Sequence, residues 1–78
     1  MIGSEEIKMV ESELIFVAEE DIDGGYTAHA MGYDIFTQAD TMDELHVNIR
    51  EVVDLYFERR PKPPIVRVHY VKDVVFPL

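Results

Sequence analysis

Apolar and polar positions along the chain change period near Thr41, which separates a strand-forming stretch from a helix. Leu14 to Glu20 (LIFVAEE) is a short run rich in β-branched and aromatic side chains, and it reads as a first strand. Asp21-Ile22-Asp23-Gly24-Gly25 follows as a turn, because its Asp-Gly and Gly-Gly steps supply the positive φ angles that a tight hairpin requires. Tyr26 to Met31 is the returning strand, Gly32-Tyr33-Asp34 the next turn, and Ile35 to Ala39 (IFTQA) a third strand. Thr41-Met42-Asp43-Glu44 fits a capping box, with the threonine hydroxyl on an orphan N–H and Glu44 reaching back to the Thr41 amide. From there Leu45, Ile49, Val52, Val53 and Tyr56 recur at helical spacing. Glu58, Arg59 and Arg60 are the expected exposed end of that helix, the arginines favourable beside its last carbonyls. Pro61, Pro63 and Pro64 stop it. Ile65 to Val71 (IVRVHYV) reads as a last strand, with Val66, Val68 and Tyr70 on one side and Ile65, Arg67, His69 and Val71 on the other.

The order is β-β-β-α-β, an α+β pattern. A right-handed crossover through the helix brings the last strand parallel to the first, so the predicted sheet order is 3-2-1-4 with the helix on one face. Residues 1–12 show no clear period and are expected to be an arm or a short strand, leaving 13–78 as a single domain. The tail from Lys72 to Leu78 either pairs further or packs loosely.

The first strand poses a packing problem. Leu14, Phe16 and Ala18 share one side and Ile15 and Val17 the other, so both sides are apolar. One helix covers one face. The second face must bury Ile15 and Val17 against a partner, a further copy of the chain or the N-terminal arm folding across it, or leave them exposed. Size sharpens the point: a chain of 78 residues buries only roughly 60–65 % of its unfolded surface, and it has no cysteine for a disulfide or a thiolate zinc site. Its hydrophobic content of 47 % is ample for a folded core.

Charge narrows the kind of partner. With 16 acidic and 7 basic residues the net charge is −9, which repels nucleic acid and anionic membranes and either suits a basic protein or simply serves solubility. No stretch has the length of a membrane-spanning helix, and the acid-rich start (Glu5, Glu6, Glu11, Glu13) is not a signal peptide, so a cytoplasmic location is expected.

Candidate chemistry is sparse. Glu19, Glu20, Asp21 and Asp23 cluster at the first hairpin, but a metal-dependent nuclease of the ribonuclease H type needs an acid in the middle of its first strand, where this chain has Ile15-Phe16-Val17. The cluster reads as a solvated turn. His29, His46 and His69 have no metal-ligand spacing, although His29 and His69 could be neighbours in the sheet. Ser4, Ser12, Thr27, Thr37 and Thr41 assemble no nucleophile with a base and an orienting group. Gly24 and Gly25 form no phosphate loop, and the short basic run Arg59, Arg60, Lys62 is a helix end. No catalytic residue, metal or cofactor is expected.

Three segments together resemble a known family. Glu20-Asp21-Ile22-Asp23-Gly24-Gly25-Tyr26-Thr27-Ala28 is similar to its D-x-x-G-G-Y hairpin. Ile35-Phe36-Thr37-Gln38-Ala39-Asp40-Thr41 matches a strand ending in T-Q-x-D-T, followed by the acidic helix start Met42-Asp43-Glu44-Leu45. Asn48-Ile49-Arg50-Glu51 matches an N-x-x-E stretch. In this order and spacing they resemble the HicB-type antitoxins over roughly Leu14 to Phe57. The resemblance implies a partial ribonuclease H-like fold, direct neutralisation of a small basic mRNA-cleaving toxin of the HicA type, and homodimers or homotetramers. Many family members carry a C-terminal DNA-binding domain, for which this sequence has no room, so operator binding is not expected. The Gly32-Tyr33-Asp34-Ile35 loop departs from the commoner Pro-Gly-Cys version.

The resulting expectation is a toxin-binding module without catalytic residues. Its contacts would come from Glu19, Glu20, Asp21, Asp23 and Tyr33, acids beside an aromatic that suit a basic surface, and from the Ile15 and Val17 face. Two other readings stand beside it: a divergent ribonuclease H-like nuclease dependent on Asp21 or Asp40, and an oligomeric structural domain without a toxin.

Overall fold

Leu14–Glu20 (β1), Tyr26–Ala30 (β2), Phe36–Ala39 (β3), Met42–Tyr56 (α1) and Val66–Val71 (β4) follow one another along the chain in a computed structural model that describes residues 12–78. The expected arm over 1–12 lies, apart from Ser12, outside the described residues. The strands form one mixed sheet in the order β3-β2-β1-β4. β1 is antiparallel to β2 and parallel to β4, with Phe16 opposite Ala30 and Val68. β2 is antiparallel to β3, with Ala28 opposite Thr37. This is the α+β order 3-2-1-4 that the pattern predicts.

Local chemistry explains the joints. In the β1–β2 turn Gly24 and Gly25 have φ of +102° and +81°, the left-handed region that favours glycine. The Asp21 carboxylate accepts from the Asp23 amide at 2.9 Å, and Asp21 N–H donates to the Gly25 carbonyl at 2.9 Å. At the start of α1, Thr41 is extended and its Oγ1 accepts from Glu44 N at 3.1 Å. Glu44 reaches back one residue further than the capping-box pattern predicts, accepting from Asp40 N at 3.3 Å. The helix is then tied to β3 by Asn48, whose amide donates to the Gln38 carbonyl at 2.9 Å.

Ends of elements differ from the pattern by one residue where the chain turns. Ile35 precedes β3, is buried, and its carbonyl accepts from Ala30 N at 3.0 Å. Ile65 precedes β4, and its carbonyl accepts from Leu14 N at 2.8 Å. The helix closes at Tyr56, so no basic residue occupies its last turn. Arg59 and Arg60 therefore do not serve its carbonyls; Arg60 instead lies over the Tyr56 ring at 4.7 Å, a cation–π contact.

The core is the helix face of the sheet. Leu14, Phe16 and Ala18 of β1 and Ala28 and Ala30 of β2 meet Leu45, Ile49 and Val53 of α1, with Ile35 and Phe57 closing one end. Alanines on β2 leave room, and α1 packs against β3 and β2. β4 stays largely exposed, and Lys72–Leu78 forms no further strand and is exposed.

Candidate functional site

The opposite face of the sheet is bare of any covering element among the described residues. Register places side chains across it in rows. Phe36, His29, Val17 and His69 form one row from β3 to β4, and Gln38, Thr27, Glu19 and Val71 the next. Ile15 lies opposite Arg67 on β4, and the Ile15 carbonyl accepts from Met31 N at 2.8 Å. Ile15 and Val17 are half-buried by these neighbours, whereas Phe36 is 61 % and Met31 55 % exposed. The result is an apolar strip edged by polar groups.

The charges at its margin are few. The Arg67 Nε donates to Glu13 at 2.7 Å, and that hydrogen bond and the Glu13 charge raise the guanidinium pKa above its ordinary value, so Arg67 stays charged. His29 and His69 do share the face, but β1 separates them: each stands beside Val17, roughly 10 Å from the other across two strand spacings. That geometry makes them flanks of an apolar centre.

The expected contact residues are not brought together. Alternation in β1 sends Glu19 to the open face and Glu20 to the helix face. Asp21 and Asp23 stay in the β1–β2 turn, where the Asp21 carboxylate shapes the loop. Tyr33 sits in the turn after β2, at the far end of a five-residue strand that spans roughly 17 Å. It packs edge-on against Tyr56 at 5.8 Å and Phe57 at 5.5 Å, sealing the core instead of standing beside the acids. Phe36 and Met31 carry the exposed apolar area that pattern reading did not single out; parity with His29 and Val17 was the available signal.

At the hairpin end, Asp21, Tyr26, Gln38, Asp40 and Glu44 line a polar recess. Asp21 and Glu44 already accept backbone hydrogen bonds there, and among the described residues no group of three His, Asp or Glu is placed to hold a metal ion. Nearby, Tyr70 lies against Tyr26 at 6.1 Å between ring centres, and partial burial, then the charge of Glu20, raises the Tyr70 hydroxyl pKa above its ordinary value. No helix among the described residues is long and apolar enough to cross a membrane.

Two curated proteins are similar to this chain. A UPF0150 protein of Thermotoga maritima is 41 % identical over 64 residues, covering 82 % of this chain and 90 % of the relative. A UPF0150 protein of Archaeoglobus fulgidus is 42 % identical over 52 residues, covering 67 % of this chain and 77 % of the relative. No family model and no solved structure matches the chain.

Proposed function

The chain belongs to the UPF0150 family, and from its open sheet face we propose that it is a HicB-like, antitoxin-type binding module that neutralises a small basic mRNA-cleaving toxin of the HicA type by direct contact. The carrying observation is the apolar strip of Val17, Ile15, Phe36 and Met31 on a protein of net charge −9. Burial of that strip supplies affinity, and the net charge of −9 draws in a cationic protein. Glu19, which lies on the same face, supplies an anion within the strip, while Asp21 and Asp23 extend the negative edge from the adjoining turn. The resemblance to HicB-type antitoxins from Leu14 to Phe57 supports the same reading. In this mechanism inhibition is steric: the module covers the RNA-binding surface of the toxin and needs no reacting group of its own.

The test is co-purification with a HicA-type protein encoded beside this chain, combined with an RNA-cleavage assay. A stoichiometric complex with loss of cleavage is the expected result, and Val17→Lys on the open face should abolish both. A toxin that stays free and active in the presence of excess module would overturn the proposal.

A further inference from the structure

The helix side of β4 carries Val66, Val68 and Tyr70, and among the described residues no element packs over it. Four strands at about 4.8 Å spacing make a sheet roughly 19 Å wide, whereas a helix with its side chains is about 10 Å across. With α1 seated on β3 and β2, a groove of about 520 Å³ remains between α1 and β4, within the range of about 300–1,000 Å³ typical of ligand pockets. Ile49 and Val53 form one wall, Val66 and Val68 the other, and Pro63 and Pro64 close one end. Its rim carries Arg50 and His46 beside the ion pair of Lys62 with Asp54 at 2.6 Å.

A matching segment lies on the same chain. Beyond β4, Val74 is 77 %, Val75 92 % and Phe76 68 % exposed, preceded by the acid Asp73. This tail leaves β4 at Val71, whereas Pro63 and Pro64 stand before its other end, at Val66. β4 is also an edge strand, with its outer ladder unpaired among the described residues. If the β4 edges of two copies meet antiparallel about a two-fold axis, Val71 of each arrives beside Val66 of the other. Each tail is then carried onto the other copy's groove.

We propose that two copies of this chain pair through β4 and exchange their tails, Val75 and Phe76 of each filling the α1–β4 groove of the other with Asp73 facing Arg50. Symmetry makes every contact twice. Phe76 alone buries about 150–250 Å², and two tails plus the strand pair approach the roughly 1,200–2,000 Å² of a stable interface. The open sheet face is not used, so this dimer stands or falls separately from toxin binding.

Sedimentation equilibrium of the full chain tests it. The expected result is a dimer at micromolar concentration. Val75→Ser with Phe76→Ser, and separately Val66→Lys, should each weaken it roughly tenfold or more while circular dichroism reports an unchanged fold. The chain has no cysteine, so mixing His46→Cys with Val74→Cys chains under oxidation should give a covalent heterodimer. A monomeric wild-type chain, a dimer indifferent to the tail substitutions, or a disulfide closing within single chains that carry both cysteines would overturn the proposal.

Discussion

Gly24 and Gly25 adjoin in one turn and both have positive φ, yet their surroundings differ. A Cβ on Gly25 would lie 2.8 Å from the Ala39 carbonyl oxygen, whereas one on Gly24 meets nothing within 4 Å. Gly24→Ala should therefore cost about 1–2 kcal/mol, the backbone term alone. Gly25→Ala should cost more, because β3 must also move, and urea midpoints for the two variants measure the difference. Thr41→Ala should cost about 1 kcal/mol, since Thr41 Oγ1 caps Glu44 N; Thr41→Ser keeps the oxygen and should be near neutral. Tyr70 makes one pH-dependent contribution at the alkaline end. Its pKa is raised in the fold, so the neutral hydroxyl is the favoured form, and the stability it contributes is complete below its unfolded pKa, near 10, and is lost as pH rises through the folded value. In a titration of phenolate absorbance, Tyr70→Phe should remove the component that ionises above the ordinary tyrosine range.

At the scale of elements, α1 separates what its period shows from what its packing requires. Leu45, Ile49 and Val53 are buried, whereas Val47 on the outer side is 55 % exposed. Ile49→Ala should cost about 2–5 kcal/mol by removing a buried side chain from the core cluster, a large share of the total in a 78-residue chain, while Val47→Ala should change thermal stability little. These positions were legible because helical spacing reports burial directly. The role of Asn48 was not. Its spacing places it on the helix, but its bond to the Gln38 carbonyl depends on where the helix crosses β3. Tyr33 was misplaced for a related reason: a turn residue shows no period, so only the packed structure reveals that it closes on Tyr56 and Phe57.

For the whole molecule, the two sheet faces should respond differently to the same kind of change. Phe16→Ser strikes a fully buried side chain and should unfold the domain. Phe36→Ser, on the open face with 61 % exposure, should leave the melting temperature within a few degrees, because an already exposed ring loses little burial. In a titration with the proposed basic toxin, the same variant should lose roughly tenfold or more in affinity.

The β-β-β-α-β order, the capped start of α1 and a first strand apolar on both sides were determined by sequence alone. Turn glycines, a capping threonine and two distinct periods act over a few residues, so they can be read without knowing the fold. Whether the helix sits centrally or to one side was decided only in three dimensions, by the volumes of Ala28 and Ala30 beneath it and by Asn48 bonding to β3. Among the described residues, that offset leaves the groove beside β4 open. Strand register is equally non-local: it sets His29 and His69 on either side of Val17 and separates Tyr33 from the acidic turn, because pairing partners distant in sequence must be aligned before any side chain has a neighbour across the sheet.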